Sequence, residues 1–148
     1  MHRYLRGKAA LAGLAIAGGA ALAAVGSAAP ALGFFSPPLT LQLHIASPAA
    51  LVAKGAGVDV PVQVQCAGAR TALLNISLTE RAGSLIASGN ASTQIACSDQ
   101  TVTVLVTAAP GKAFKKGTAI ANGDLSACTP RNRVCGSQTD QETISISH

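Results

Sequence analysis

From Leu39 onward the chain alternates apolar and polar residues with a period of two. In LTLQLHI, residues 39–45, Leu39, Leu41, Leu43 and Ile45 share one face and Thr40, Gln42 and His44 the other. VDVPVQVQC, residues 58–66, sets Val58, Val60, Val62, Val64 and Cys66 against Asp59, Pro61, Gln63 and Gln65, which places the Cys66 sulfur on the core face. The alternation continues in LLNISLT (73–79), SLIAS (84–88), TQIAC (93–97), TVTVLVT (101–107), TAIA (118–121) and ETISIS (142–147). Turns are expected at Lys54–Gly57, Ala67–Ala69, Ser88-Gly89-Asn90, Ser98-Asp99-Gln100, Pro110-Gly111-Lys112 and Asn122-Gly123-Asp124. Seven to nine short strands at this spacing, with no helical stripe among them, predict an all-β antiparallel sandwich or small barrel. Pro61 removes a ladder donor from a strong strand, so an edge or a bulge is expected there.

The first residues follow a different pattern. A basic head with Arg3, Arg6 and Lys8 precedes a run of Ala, Gly, Leu and Ile from Ala9 to Ala24 and then small residues. This is the layout of a secretory signal helix, with cleavage after Ala28 fitting the small-x-small rule through Gly26 and Ala28; Ala29 and Ala31 are alternatives. A retained anchor is the competing reading, since the uncharged stretch to Ala31 is long enough to span a bilayer. Its Ala/Gly-rich core is only weakly hydrophobic, which favours cleavage. The expected organisation is a signal peptide at 1–28, an extended lead-in at 29–38 bearing Phe34 and Phe35, and one β-domain at 39–148, with no membrane span after cleavage.

Export changes the meaning of charge and cysteine. The whole chain carries a net charge of +5. Arg3, Arg6 and Lys8 leave with the signal, so eight basic residues remain against six acidic ones. No dense basic face remains for nucleic acid. A quarter of residues 29–148 are Leu, Ile, Val or Phe, above the level of roughly a fifth below which chains stay disordered. The four cysteines, Cys66, Cys97, Cys128 and Cys135, read as two disulfides in an oxidising compartment. Three connectivities are open, and the pairing of sequence neighbours, 66 with 97 and 128 with 135, is expected.

Candidate chemistry is sparse. A Ser-His-Asp arrangement needs a base beside its nucleophile, and after signal removal only His44, on a polar strand face, and the terminal His148 are available. The six acids, Asp59, Glu80, Asp99, Asp124, Asp140 and Glu142, fall mostly in turns or at strand ends. Asp140 and Glu142, two apart, could share a face and hold calcium weakly, but a row of solvated acids is expected. C-x6-C with two distant histidines does not fit zinc-ligand spacing, and no cofactor is implied. Tyr4 lies in the signal and Trp is absent, which leaves Phe34, Phe35 and Phe114 as the aromatics. Aromatic platforms for sugars or single-stranded nucleic acid are therefore lacking. In GKAFKKG, residues 111–117, Phe114 with Lys112, Lys115 and Lys116 is a candidate surface contact for an anionic polymer; the alternative is a core phenylalanine beneath solvated lysines. In ACTPRNRVC, residues 127–135, Arg131 and Arg133 are a second candidate contact on a turn stapled by Cys128 and Cys135. The sequons Asn75-Ile76-Ser77 and Asn90-Ala91-Ser92 would accept glycans only in a eukaryotic secretory route.

The succession VQVQC, NISL, a segment from Gly89 to Cys97, TVTVLVT and F-x-x-G-x-A from Phe114 to Ala119 resembles small secreted Ig-like β-sandwich proteins of actinobacteria over about residues 39–147. That resemblance implies an antiparallel Ig-like β-sandwich. A looser likeness links the late Cys128–Cys135 loop and the terminal ETISIS strand to neocarzinostatin-type apoproteins, which implies a carrier binding a chromophore in a cleft between sheets. The function expected from sequence is a secreted, non-enzymatic domain acting by surface contacts, with a cell-wall polymer or another extracellular protein as partner and no nucleic acid. The small-molecule carrier is the alternative.

Overall fold

A computed structural model describes residues 37–130 and 134–148. The expected signal at 1–28, Phe34 and Phe35 of the lead-in, and Arg131 and Arg133 lie outside the described residues. Eight strands follow one another: β1 Thr40–Ile45, β2 Ala49–Val52, β3 Gly57–Ala67, β4 Thr71–Ala82, β5 Leu85–Ala96, β6 Gln100–Ala108, β7 Gly117–Cys128 and β8 Cys135–Ser147. Between β2 and β3 lies a 3₁₀ turn at Ala53–Gly55. Among the described residues no helix is long and apolar enough to cross a membrane.

The alternating faces become an inside and an outside. Val58, Val60, Val62, Val64 and Cys66 of β3 are all buried, as are Leu74, Ile76 and Leu78 of β4 and Val104 and Val106 of β6. β-branched residues suit such a pleated, half-buried surface. The strands lie in the order β1-β3-β2-β8-β7-β4-β5-β6, and β3 also pairs with β6. The sheet thus closes into a barrel of seven strands, with β1 as an eighth beside β3, rather than leaving two open sheets. Two short ladders make the closure: β2 runs parallel to β8 through Ala49↔Ile146 and Ala50↔Ser147, and β5 meets β6 only through Gly89↔Ala108 and Asn90↔Thr107.

Two expected turns are strand interiors. Ser88-Gly89-Asn90 lies within β5, so SLIAS and TQIAC form one strand, and Asn122-Gly123-Asp124 lies within β7. Close approach, not chain reversal, explains both glycines. A Cβ at Gly89 would collide with the carbonyl oxygen of Thr107, at the point where β5 joins β6. A Cβ at Gly123 would stand 2.9 Å from Leu43 Cδ2, where β1 packs across the interior. Strand β2, within ASPAALV, carries too short an alternation to be read from sequence.

Pro61 sits in a strand paired on both edges, not in an edge strand. β3 pairs with β6 through Pro61↔Thr103, and its other edge is shared by β1 and β2 in succession. The Pro61 carbonyl accepts a hydrogen bond from Ala46 N at 2.9 Å. In an extended antiparallel strand the N and C=O of one residue face the same neighbour. The missing donor therefore falls in the gap between β1 and β2, where no ladder partner waits.

Both disulfides follow the expected pairing, Cys66 with Cys97 and Cys128 with Cys135. The first joins the core face of β3 to the turn between β5 and β6. The second joins the directly opposed ends of β7 and β8, where Thr129 N also donates to Val134 O at 2.8 Å. Such bridges fit an oxidising setting.

Candidate functional site: a polar cleft across four strands

β5, β4, β7 and β8 are neighbours, and their outward positions fall into register. One row crosses all four strands as Asn90, Ser77, Asn122 and Gln141; a second runs Ser92, Asn75, Asp124 and Thr139. Opposed residues on one face of an antiparallel pair have Cβ atoms about 4.5–5.5 Å apart, so each row is a near-continuous line of polar groups. Between the rows lie Ala91, Ile76, Gly123 and Asp140, which point inward and leave their backbone as a floor. All of these groups except Ser92 line a cleft of about 490 Å³, within the usual range of about 300–1,000 Å³ for small-ligand sites. Its rims offer carboxamides and hydroxyls that both donate and accept hydrogen bonds, and one carboxylate, Asp124, that accepts. The arrangement suits recognition of a ligand rich in hydroxyl and amide groups.

The site residues expected from sequence lie elsewhere. Lys112, Lys115 and Lys116 are exposed on the β6–β7 connection, but Phe114 is buried at 1% exposure and is the largest fully buried side chain. Of the two readings of Phe114, its burial fits the core anchor beneath solvated lysines and not the surface contact. Its backbone N donates to Gly55 O at 2.9 Å, and Lys115 N donates to Glu80 Oε2 at 2.8 Å. Glu80 is 2% exposed. It continues the inward phase of Leu74, Ile76 and Leu78 at the end of the barrel, where the loop's backbone satisfies it.

His44 is exposed, as its polar face predicts, yet its Nδ1 lies 3.7 Å from Asp140 Oδ2. Asp140 and Glu142 do share a face: they continue the inward phase of Ile144 and Ile146 on β8 and are half-buried. Asp140 Oδ2 also accepts from Ile45 N at 2.8 Å, covering a donor on the edge of β1 turned away from β3. Ser145 N donates to Ser47 Oγ at 3.1 Å one turn of chain further on.

Sequence reading missed the cleft because outward polar residues of a strand look solvated one at a time. A signal was present: Asn is disfavoured in strands, yet Asn75, Asn90 and Asn122 all stand in strand interiors. The two sequons face each other, with Asn75 opposite Ser92 and Ser77 opposite Asn90. Comparison of the chain with protein-family models, curated proteins and solved structures finds no match.

Proposed function

We propose that this protein is an exported, non-enzymatic binding domain whose contact surface is the polar cleft on β5, β4, β7 and β8. The supporting observation is the pair of in-register rows, Asn90-Ser77-Asn122-Gln141 and Ser92-Asn75-Asp124-Thr139. All eight positions of these rows are polar, and three are asparagine, a residue depleted in strand interiors. The partner that fits is a polymer carrying hydroxyl and amide groups, such as the glycan and peptide strands of a cell wall. The lysine loop is the weaker candidate, because the aromatic that would anchor a contact there is buried. The small-molecule carrier retains support from the size of the cleft, with the ligand on the outer face; the barrel interior is filled by aliphatic side chains and Phe114.

Connectivity supports an immunoglobulin-like origin for the barrel. β1-β3-β6 and β4-β7-β8 are each antiparallel sets that match the A-B-E and C-F-G groupings of that fold. Cys66 bonds to the β5–β6 turn and not to β7, so the bridge is this chain's own.

Retention on isolated cell wall tests the function. The triple variant Asn75→Ala, Asn122→Ala, Gln141→Ala is expected to lose retention, while Lys112→Ala, Lys115→Ala, Lys116→Ala keeps it. The reverse pattern, with retention abolished by salt, would transfer the contact to the lysine loop. A carrier would instead show absorbance above about 300 nm in natively purified protein, where a domain without Trp or Tyr is transparent.

A further inference from the structure

We propose that His44, Asp140 and Glu142 bind a divalent transition-metal ion of the Zn²⁺ class, linking β1 to β8 where no ladder joins them. One potential ligand atom from each residue lies within 4.8 Å of the others. Ligand atoms around such an ion sit about 2.0–2.2 Å from it and hence about 3.0–3.5 Å from one another. Small side-chain rotations therefore close the site, and His44, with 58% of its side chain exposed, is free to make the largest of them.

The donor set selects the ion. An imidazole beside two carboxylates favours zinc, nickel or copper, whereas calcium and magnesium prefer oxygen alone. Asp140 and Glu142, two apart in sequence, offer oxygen alone; the fold adds a nitrogen from His44 on β1. Charge points the same way. Two half-buried carboxylates share this edge, and among the described residues the one ion pair either makes is Asp140 with His44. A dication compensates both acids when the imidazole is neutral.

The support around the ligands is also of the kind metal sites use. Asp140 Oδ2 is oriented by Ile45 N–H at 2.8 Å, and a carboxylate oxygen bonded once still has lone-pair capacity for a cation. Asp140 and Glu142 are carried by the long ladder between β7 and β8, and His44 by the β1–β3 ladder. Three protein ligands leave coordination positions open to water or to a partner's donor.

The test is a calorimetric titration of the protein, purified without an affinity tag, with Zn²⁺ and separately with Ca²⁺, followed by NMR of the histidine rings. One Zn²⁺ per chain is expected, with the His44 ring signals shifted and the melting temperature raised by Zn²⁺ but not by Ca²⁺. His44→Ala is expected to weaken Zn²⁺ binding more than about tenfold and Glu142→Gln about tenfold, both in folded protein, since neither side chain is part of the core. His148→Ala is expected to change nothing. Unshifted His44 signals, unchanged Zn²⁺ affinity in His44→Ala, or Ca²⁺ bound as tightly as Zn²⁺ would each overturn the proposal.

Discussion

The inner and outer faces of β4 and β7 are one residue out of phase and differ most sharply in mid-strand. Inward, Leu74, Ile76, Leu78, Ala121 and Leu125 are at most 1% exposed. Outward, Asn75, Ser77, Asn122 and Asp124 stand in two rows with their neighbours on β5 and β8. Since strand side chains alternate strictly, a one-residue slip would exchange the two sets. On the proposed reading, stability and recognition are written in the same strands at alternating positions, and the aliphatic face fixes the register that brings the amides together.

Several substitutions can break this division. Leu74→Ala removes a fully buried side chain and is expected to cost roughly 2–5 kcal/mol, read as a lower denaturation midpoint with the ligand contact intact in the protein that remains folded. Replacing Cys128 and Cys135 by Ser frees an eight-residue loop and is expected to cost up to roughly 2.5 kcal/mol by the chain-entropy account, with hydrogen exchange rising first where β8 starts. Gly89→Ala forces a side chain against the Thr107 carbonyl; a loss of about 1–3 kcal/mol should appear together with faster exchange at Asn90 and Ala108, the two-pair ladder that closes the barrel. The smallest effect belongs to Asn75→Ala with Asn122→Ala, expected to change stability by no more than about 0.5 kcal/mol while abolishing retention on the wall. A large stability loss in that last variant would make the asparagines structural and dissolve the division.

What sequence made legible was whatever a period of two records. The core faces of β1, β3, β4 and β6 and the pairing of both disulfides could be read from Leu39–Ile45, Val58–Cys66, Leu74–Leu78 and the spacing of four cysteines. Gly89 and Gly123 misled, because a glycine flanked by Asn and Ser or Asp carries the same local signal whether it reverses the chain or lets another strand approach. Closure of the barrel depends on ladders of two residue pairs, too short to leave a pattern. The cleft and the His44-Asp140-Glu142 group are hidden for a related reason. Their members are divided between distant parts of the chain, β4 and β5 against β7 and β8 in the cleft and β1 against β8 in the group, and each alone reads as an ordinary polar residue of a strand. Burial of Phe114 and Glu80 likewise depends on where the β6–β7 connection lands.

The most direct test of the outer face as the contact surface is amide and side-chain NMR of ¹⁵N-labelled protein titrated with solubilised cell-wall glycopeptide. Shifts are expected to gather on the carboxamides of Asn75, Asn90, Asn122 and Gln141 and on the backbone of β4, β5, β7 and β8 between the two rows. Shifts confined to Lys112, Lys115 and Lys116, or none at all in the four carboxamides at saturating ligand, would contradict it.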